Sequence, residues 1–434
     1  MDRRDRHCIV GAGPSGLGAA KAFKDAGIEY DHVEADDAIG GNWYHGVYDS
    51  THIISSRDGT GYSDFPMPAD YPDFPSRDQM LAYVNDYADH FGLRDRIELN
   101  TEVTAVEPLS PHGMAGWRVT LANGDSRDYA GVVVANGHHW KQRIPVFPGE
   151  FTGKAFHSKE YKRPSDFEGE RVVVVGAGNS ACDIAVEAAR NGFDTHLSIR
   201  RGTHFLPKTF FGIPADQFDR WWMPVFAQKQ VLKALLALTV GPNERYGVPP
   251  PEHDLFERHP TVNSELLYML KHGRIGVKPN VARLDGRRVE FVDGSALEVD
   301  TIVYATGYDV EFPFLDHDMF EWDGRYPKLV GQMFPPGYAN LYIWGLGQPR
   351  GGAGPLVTAG SRLMAKFVLL QREWDRPLSN VIGRFRRPEA RELFGMSELM
   401  RLIKLGELGV PFLRLEARLL SRNGHERVVE QAAA

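Results

Sequence analysis

The pattern of hydrophobic and polar positions predicts the same unit twice: a short apolar strand, a glycine-rich turn and a helix. In the first unit the strand is HCIV, residues 7–10, and the turn GAGPSG follows directly. In the second unit the strand is RVVVV, residues 171–175, and the turn GAGNSA follows. Between a strand and a helix, such a turn lets the backbone approach a pyrophosphate at the helix N-terminus. The pattern therefore predicts two dinucleotide-binding sites in one chain.

The rest of the pattern alternates predicted strands with predicted helices. We predict helices over residues 77–93 and 226–239, strands over 97–108, 131–139 and 300–309, a hairpin around 117–125 and a connector over 143–151. The second strand ends in Ala-Asn-Gly and the third in Ala-Thr-Gly, which indicates that the chain crosses back between domains near residue 300. We predict an α/β fold with two Rossmann-like dinucleotide-binding domains, the second inserted in the first. The predicted boundaries assign residues 1–150 and 300–434 to the first domain and residues 151–299 to the second.

The charge at the end of the strand after each turn indicates which dinucleotide binds. Glu34 follows Gly11 by 23 positions, where a carboxylate can accept hydrogen bonds from ribose hydroxyls. In the second unit Arg200 and Arg201 hold the corresponding place, and guanidinium groups bind a 2′-phosphate through charge-assisted hydrogen bonds. The sequence thus predicts FAD at the first site and NADPH at the second. Lys208 is a weaker candidate for the same 2′-phosphate.

Further cofactor-binding candidates lie in the two turns, at the small-residue strand ends and in the strand that completes the first unit. Small residues in these places let the backbone lie close to a bound nucleotide. The candidates are Gly11, Gly13, Ser15, Gly16, Val103, Ala135, Asn136, Gly137, Gly176, Gly178, Asn179, Ser180, Ala181, Ala305, Thr306 and Gly307.

Length, charge and cysteine count exclude several classes of protein. A chain of 434 residues is longer than a single hydrophobic core usually organises, so more than one domain is expected. A net charge of −7 gives no basic surface field that would attract nucleic acid. With only Cys8 and Cys182, a disulfide scaffold is excluded, and the 16 histidines show no metal-ligand spacing. The longest apolar run, residues 231–240, is too short to span a bilayer, and no targeting segment is visible. We expect a cytoplasmic protein that acts on small molecules; a homodimer is compatible with the sequence.

The stretch FTGKAFHSKEYK at residues 151–162 carries a resemblance to a known family. It matches F-x-G-x-x-x-H-x-x-x-[YF]-K, the fingerprint of flavin-containing monooxygenases, through Phe151, Gly153, His157, Tyr161 and Lys162. Segments such as GGNW, VNSELL, ATGYDVEFPFLD and NLYIWGLGQP extend the resemblance over nearly the whole chain, and HFLPK and ERYG are similar to the plant auxin-synthesising branch. Related Baeyer-Villiger enzymes carry Trp at position 161, so Tyr161 favours the heteroatom-oxidising branch.

The resemblance implies a reaction and several residue roles. In the family NADPH reduces FAD, dioxygen adds at flavin C4a to give a hydroperoxide, and a soft nitrogen or sulfur nucleophile attacks its distal oxygen. The resemblance also implies that Gly41 and Trp43 of GGNW, and Gln348 of GLGQP, lie close to the flavin. We expect the histidine, tyrosine and lysine of the fingerprint to hold the crossing between the two domains rather than to do chemistry.

One position departs from the family pattern. Many members place an Asn near the hydroperoxide where this chain has Ile54, which has no side-chain hydrogen bond to donate; Baeyer-Villiger enzymes tend to have Asp there. Ser55 and Arg57 are the catalytic candidates that could supply the missing polar contact. Without such a donor, the enzyme would act largely as an NADPH oxidase.

Other readings of the sequence stay open beside heteroatom oxygenation. They are Baeyer-Villiger oxidation of ketones and a redox-sensing flavoprotein with little turnover. A disulfide reductase is disfavoured, because neither cysteine belongs to a redox pair. The apolar C-terminal segment, residues 396–420 with interspersed arginines, is expected to pack on the body of the protein.

Overall fold

A computed structural model describes residues 1–218, 222–391 and 393–433, with side chains up to residue 420. The helices are α1 Pro14–Asp25, α2 Arg57–Thr60, α3 Arg77–His90, α4 Asn179–Arg190, α5 Val225–Thr239, α6 Leu266–Lys271, α7 Gly354–Gln371, α8 Leu378–Gly383 and α9 Met396–Ala433. The strands of the larger sheets are β1 Asp2–Val10, β2 Tyr30–Val33, β3 Ile97–Glu98, β4 Val103–Pro108, β5 Trp117–Leu121, β6 Ser126–Val134, β7 Gly149–Phe151, β8 Lys154–His157, β9 Arg171–Val175, β10 Asp194–Ser198, β11 Ile275–Lys278, β12 Val281–Gly286, β13 Arg288–Phe291, β14 Ala296–Glu298, β15 Thr301–Tyr304 and β16 Leu341–Ile343. Short strand pairs join Lys141–Gln142 to Tyr308–Asp309, Phe205–Leu206 to Thr261–Val262, Thr209–Phe210 to Ile213–Pro214, Trp322–Asp323 to Tyr326–Pro327, and Gln348–Pro349 to Leu393–Phe394.

The first sheet runs in the order β3-β2-β1-β6-β5-β4, and β16 also pairs with β6. Strands β3, β2, β1, β6 and β16 are parallel, whereas β4 and β5 form an antiparallel hairpin beside them. The strand order reverses direction at β1, between β2 and β6. A cleft at such a switch point, outside the carboxyl ends of the strands, is where open α/β sheets bind nucleotides.

The second sheet is parallel throughout, in the order β11-β10-β9-β15-β8. Its central strand β9 is a run of valines because both faces of the strand are covered. Val172 and Val174 pack in the core that contains α4, while Val173 and Val175 pack on the antiparallel sheet of β12, β13 and β14. The predicted α/β fold with two dinucleotide-binding units is confirmed.

Several element boundaries differ from the prediction. Strand β15, predicted to follow the return to the first domain at residue 300, pairs with β9 in the second sheet, and the chain rejoins the first sheet only at β16. The predicted strand over 97–108 is split into β3 and β4, because Asn100 adopts a left-handed backbone conformation with φ of 51°. Helix α3 starts where Ser76 and Gln79 cap each other, a local signal that the sequence carries.

The C-terminal helix α9 packs one face on α7, as expected from the sequence. Ile403, Val410, Leu413 and Ala417 belong to the core that α7 shares. Other apolar residues of α9 are exposed, among them Leu405 and Phe412, at 65 % and 74 %.

Asp300 lies just before β15, and its side chain binds residues at the start of β9. Substituting it therefore tests what stabilises the second sheet. Its carboxylate accepts hydrogen bonds from the backbone of Glu170 and Arg171, from the Arg171 guanidinium at 2.8 Å and from Arg287 at 2.8 Å. The Arg171 guanidinium in particular holds the pKa of Asp300 well below its usual range.

We predict that Asp300→Asn lowers the free energy of unfolding by about 2 kcal/mol, because charge-assisted hydrogen bonds are lost. Thermal unfolding at pH 7 measures the effect, and exposed Asp285→Asn in β12 is the matched control. An unchanged melting temperature in Asp300→Asn would contradict the assigned role.

Candidate cofactor-binding and active site

The first glycine-rich turn lies against the end of β6. The Gly11 amide donates to Val33 O at 2.8 Å, and the Ala135 amide donates to Val10 O at 2.9 Å. A Cβ atom on Gly11 would lie 2.6 Å from Ala135 O, and Gly11 has a φ of +102°. Only glycine fits this close approach without moving the backbone.

The second turn repeats this arrangement contact by contact. The Gly176 amide donates to Ser198 O at 3.0 Å, and the Ala305 amide donates to Val175 O at 2.9 Å. A Cβ atom on Gly176 would lie 2.3 Å from Ala305 O, at a φ of +143°. Each unit therefore brings together its predicted turn and its predicted small-residue strand end.

Glu34 reaches back from the end of β2 to the first turn. Its carboxylate accepts hydrogen bonds from the amides of Ala12, at 2.5 Å, and Asp36, at 3.0 Å. The side chain is buried, and burial raises its pKa above the ordinary value of a glutamate. Each carboxylate oxygen keeps a lone pair that a ribose hydroxyl can use. Val103 begins β4 nearby and packs with Val33 in the core.

Close backbone contacts form a cradle beside the first turn. A Cβ atom on Gly41 would lie 3.1 Å from Gly13 Cα, and one on Gly16 would lie 1.9 Å from Gly11 O. Trp43 ends the adjoining short 3-10 helix, Gly41–Trp43, and packs partly buried against the core. Ser15 lies against Gly345, which follows β16. Bare backbone next to a helix N-terminus fits a pyrophosphate.

Gln348 lies close to the strand end of the first unit. Its amide nitrogen is 3.0 Å from Nε2 of His138 and 3.3 Å from Nε2 of His139, the two residues after Gly137. Asn136 donates to Glu311 O at 3.0 Å, whereas its Oδ1 is buried without a partner in the described part of the chain. A buried acceptor of this kind is available to a ligand.

The second turn is tied to a neighbouring strand and is open at its centre. Asn179 Oδ1 accepts from the Val262 amide at 2.7 Å, while Ser180 lies beside the Tyr48 hydroxyl and Ala181 is fully buried. A Cβ atom on Gly178 would meet nothing within 4 Å.

The residues predicted for the 2′-phosphate lie at two separate places along the second unit. Arg200 and Arg201 are exposed after β10, and Arg201 Nε lies 3.7 Å from Glu252 Oε2. The Lys208 ammonium instead lies 5.3 Å from the ring centroid of Phe74, a residue of the first unit. Thr306 and Gly307 bind Arg143: the guanidinium donates to Thr306 O, the Thr306 hydroxyl donates to Arg143 O, and the Arg143 amide donates to Gly307 O at 3.1 Å.

The fingerprint of residues 151–162 holds strands and units together. A Cβ atom on Gly153 would lie 2.5 Å from Asp300 O, so this glycine permits a tight path beside β15. His157 Nε2 donates to Gly307 O at 3.0 Å, and its Nδ1 accepts from the Lys159 amide at 3.1 Å. Both ring nitrogens are thus used by backbone, and burial lowers the pKa of His157. This geometry fits a positional role for the histidine.

Tyr161 and Lys162 attach the fingerprint to residues 45–50, a segment we call the strap. Lys162 Nζ donates to His45 O at 2.5 Å and to Val47 O at 3.1 Å. Fully buried Tyr161 donates to Glu187 Oε2 of α4 at 2.9 Å, and Ser50 of the strap donates to the same oxygen at 2.8 Å. The strap, a part of the first unit, is therefore anchored on a helix of the second.

Sequence reasoning did not find the second anchor of the strap. Tyr48 donates to Asp183 Oδ2 of α4 at 2.7 Å, and Asn263 donates to Asp183 Oδ1 at 2.6 Å. Burial raises the pKa of Asp183 above its usual range. Asn263 belongs to the VNSELL segment of the family resemblance, but the sequence does not show that Asp183 is its hydrogen-bond partner.

A cavity of about 80 Å³ lies between the 54–55 loop, residues 206–262 and residues 349–351. Ile54 and Ser55 line it, and the Ser55 hydroxyl lies 2.7 Å from the Thr60 hydroxyl. Arg57 turns instead to the 69–71 loop, where it donates to Ala69 O at 2.8 Å and Tyr71 O at 2.7 Å. The two catalytic candidates therefore have different surroundings.

Asp216, Gln228, His259 and Arg350 also line this cavity, and no sequence motif singled them out. Arg350 donates to Gln228 Oε1 at 3.1 Å, and its guanidinium carbon lies 3.9 Å from the ring centroid of Phe256. Asp216 Oδ2 accepts from the hydroxyl of Ser56 at 2.7 Å, and Asp216 Oδ1 is buried with no partner among the described residues.

Comparison with known proteins identifies the family. The model of the Flavin-binding monooxygenase-like family matches residues 4–372. The chain belongs to this family. A flavin-containing monooxygenase is an oxidoreductase, and the two cysteines, both buried and free, do not form the redox pair of a disulfide reductase.

Relatives and solved structures agree with the family. The chain is 33 % identical over 381 residues to flavin-containing monooxygenase 5 of Rattus norvegicus, covering 81 % of this chain and 71 % of that protein. It is 32 % identical over 383 residues to dimethylaniline monooxygenase [N-oxide-forming] 2 of Oryctolagus cuniculus, covering 82 % and 71 %.

Solved structures share the fold at lower identity. The flavin-containing monooxygenase from Stenotrophomonas maltophilia is similar with a TM-score of 0.63 at 21 % identity, covering 85 % of this chain and 99 % of that one. The enzyme OTEMO, solved with FAD and NADP, gives a TM-score of 0.72 at 17 % identity, covering 94 % and 98 %. Within the described residues of the present chain, no helix is both long and apolar enough to cross a membrane.

His32 of β2 supports the first turn in a way that depends on pH. Its Nε2 donates to Gly11 O at 2.9 Å, and its Nδ1 is buried without a partner in the described part of the chain. Burial lowers the pKa of His32 to about 4. Because the unfolded chain takes up this proton near its ordinary pKa of about 6.5, the stability contribution is complete above that pH and is lost on acidification toward 4.

We predict that the melting temperature falls between pH 7 and pH 4.5, and that His32→Asn makes this fall smaller. Differential scanning fluorimetry at both pH values measures it, with exposed His45→Asn as the control. Equal pH dependence in the His32→Asn variant and the unmodified protein would show that this histidine does not contribute.

Proposed function

We propose that the protein is an FAD- and NADPH-dependent monooxygenase that oxygenates a soft nitrogen or sulfur nucleophile. The observation that carries the proposal is the repeated contact of Gly11 with Ala135 and of Gly176 with Ala305 in one chain. In the first unit a buried glutamate follows the turn, and in the second unit two arginines do. This difference in charge supports FAD in the first site and NADPH in the second.

The chain's own residues would bind and orient the two cofactors. The turn around Gly13 and the bare backbone of Gly41 would hold the FAD pyrophosphate, and Glu34 would accept from its ribose. A bound flavin supplies hydride acceptance and the activation of dioxygen, chemistry that no side chain provides. Tyr161, which binds Glu187 of α4, and Lys162, which binds the strap, would together fix how the nicotinamide meets the flavin.

The small cavity beside Ile54 is the proposed substrate pocket. Its mainly apolar wall limits the access of water, which an oxygenation site needs. Within it Ser55 is the candidate donor, whereas Arg57 holds the 69–71 loop in place and acts as a positioning residue. Asp216 and Arg350 give the wall one charge of each sign.

A second candidate function is that of an NADPH oxidase. It is favoured by Ile54, because an isoleucine in the cavity wall donates no hydrogen bond. Baeyer-Villiger oxidation of ketones is the further alternative, to be decided by products.

The coupling of NADPH consumption to product formation tests the proposal. With sulfides and tertiary amines we expect about one oxide per NADPH oxidised, and little hydrogen peroxide. Ser55→Ala should raise the peroxide share several-fold, whereas Ser110→Ala, in a distant turn, should leave it unchanged. Peroxide in place of oxide in the unmodified enzyme would indicate an oxidase, and esters or lactones from ketones would indicate Baeyer-Villiger chemistry.

The double variant Arg200→Ala with Arg201→Ala tests the NADPH site. Because one or two charge-assisted bonds to the 2′-phosphate are lost, we predict that the preference for NADPH over NADH in kcat/KM falls by about 10- to 100-fold. Steady-state kinetics with both nucleotides measures this, and Arg190→Ala, an exposed arginine at the end of α4, is the control. A preference that survives the double substitution refutes the assignment.

A further inference from the structure

A cavity of about 510 Å³ lies between parts of α7 and α9, apart from the small cavity beside Ile54, and its inner end reaches Ser15 and Gly345 beside the first turn. Its lining is mainly apolar, with Leu363 and Phe367 of α7 facing Leu402 and Leu413 of α9. The volume is within the range of sites for small molecules, roughly 300 to 1,000 Å³. Two of its walls, α8 and α9, lie beyond residue 372, where the match to the family model ends.

The cavity runs from an exposed mouth to a buried floor. At the mouth, Phe385 and Phe412 are 76 % and 74 % exposed, whereas Phe334 and Trp344 at the floor are 3 % and 7 % exposed. The indole N–H of Trp344 is buried without a hydrogen-bond partner in the described residues. A slot with mainly apolar walls and few polar groups takes an elongated apolar group.

The apolar surface continues from the mouth along α9. Spaced by three and four residues, five side chains are between 51 % and 74 % exposed: Leu405, Leu408, Phe412, Leu415 and Leu419. The opposite face of the helix is buried against α7. A helix that is apolar on both faces is expected to have a partner on the second face as well.

The charge around the mouth selects the kind of ligand. Among the described residues that line the cavity, Arg386 carries the only charge. Arg386 lines the cavity, its Nη2 pairs with Glu389, and its Nε is buried with no partner in the part of the chain described. An unused guanidinium N–H at the mouth of an apolar slot is suited to an anionic group.

We propose that this cavity binds the aliphatic chain of an amphiphile with an anionic head group. The head group pairs with Arg386 at the mouth, and the chain extends between α7 and α9 toward Trp344. The proposal does not depend on the oxygenation reaction, because its test measures binding.

Titration calorimetry of the full chain with dodecanoate, below its critical micelle concentration, tests the site. We expect one molecule bound per chain and about tenfold weaker binding of dodecan-1-ol, which lacks the charge. Arg386→Gln should reduce the affinity for dodecanoate to that for dodecan-1-ol and leave dodecan-1-ol binding unchanged, which shows that the variant is folded.

Gly409→Phe tests the location of the site. Gly409 lines the cavity, and a Cβ atom there would meet nothing within 4 Å, so a larger side chain fills the slot without straining the helix. We expect at least a tenfold loss of dodecanoate affinity, whereas Leu408→Phe, on the exposed face one residue earlier, should keep it. No stoichiometric binding, or equal binding by Gly409→Phe, overturns the proposal.

Flotation with phosphatidylglycerol vesicles distinguishes the source of the chain. Vesicle binding that Gly409→Phe abolishes indicates a lipid as the source, and binding of dodecanoate without vesicle binding indicates a free fatty-acid-like molecule. If Gly409→Phe leaves vesicle binding unaffected and dodecanoate does not bind, the exposed face of α9 only contacts the membrane surface. That outcome overturns the assignment of the cavity as a binding site.

Discussion

The structure depends on the close approach of a glycine to the carbonyl at the end of a neighbouring parallel strand. At Gly11 and at Gly176 a single added carbon would come within 2.6 Å and 2.3 Å of that oxygen. The contact places the start of the next helix beside the strand ends, and the helix N-caps Gly13 and Gly178 present backbone without a side chain there. A phosphate-bearing ligand fits there because the backbone itself, rather than any side chain, forms the surface.

The two units are joined by hydrogen bonds as well as by apolar packing. Asp183 and Glu187, two carboxylates of α4, receive the hydroxyl groups of Tyr48 and Ser50 from the strap, and Glu187 also receives Tyr161. Such contacts are directional, so they fix one relative orientation of the units. An enzyme that transfers a hydride between two cofactors requires that precision.

The sequence predicted the parts of the fold that local signals determine. The glycine turns, the capped helix α3 and the apolar strands β1 and β9 all have patterns that read without tertiary context. The sheet to which β15 belongs was not readable from the sequence, because a small-residue strand end is the same in both units and only strand pairing distinguishes two sheets.

The candidate site was predictable to a similar extent. Ser55 was predicted because it stands next to a family position, and the structure places it in the cavity wall, where its catalytic role stays a prediction. Asp216 and Arg350 were not found, since they come from segments far apart in the chain without periodic pattern. Arg57 was predicted from the same loop, but its guanidinium donates hydrogen bonds to backbone oxygens of the adjacent 69–71 loop.

The shared oxygen of Glu187 has a consequence for motion. Since Ser50 and Tyr161 donate to the same atom, one carboxylate oxygen of Glu187 binds both the strap and the fingerprint. A movement that lifts the strap from α4 breaks the hydrogen bonds of Tyr48 and Ser50 but leaves Tyr161 bound to Glu187. The fingerprint therefore stays on the second unit during such a movement, and the bonds from Lys162 to the strap are the ones that must stretch.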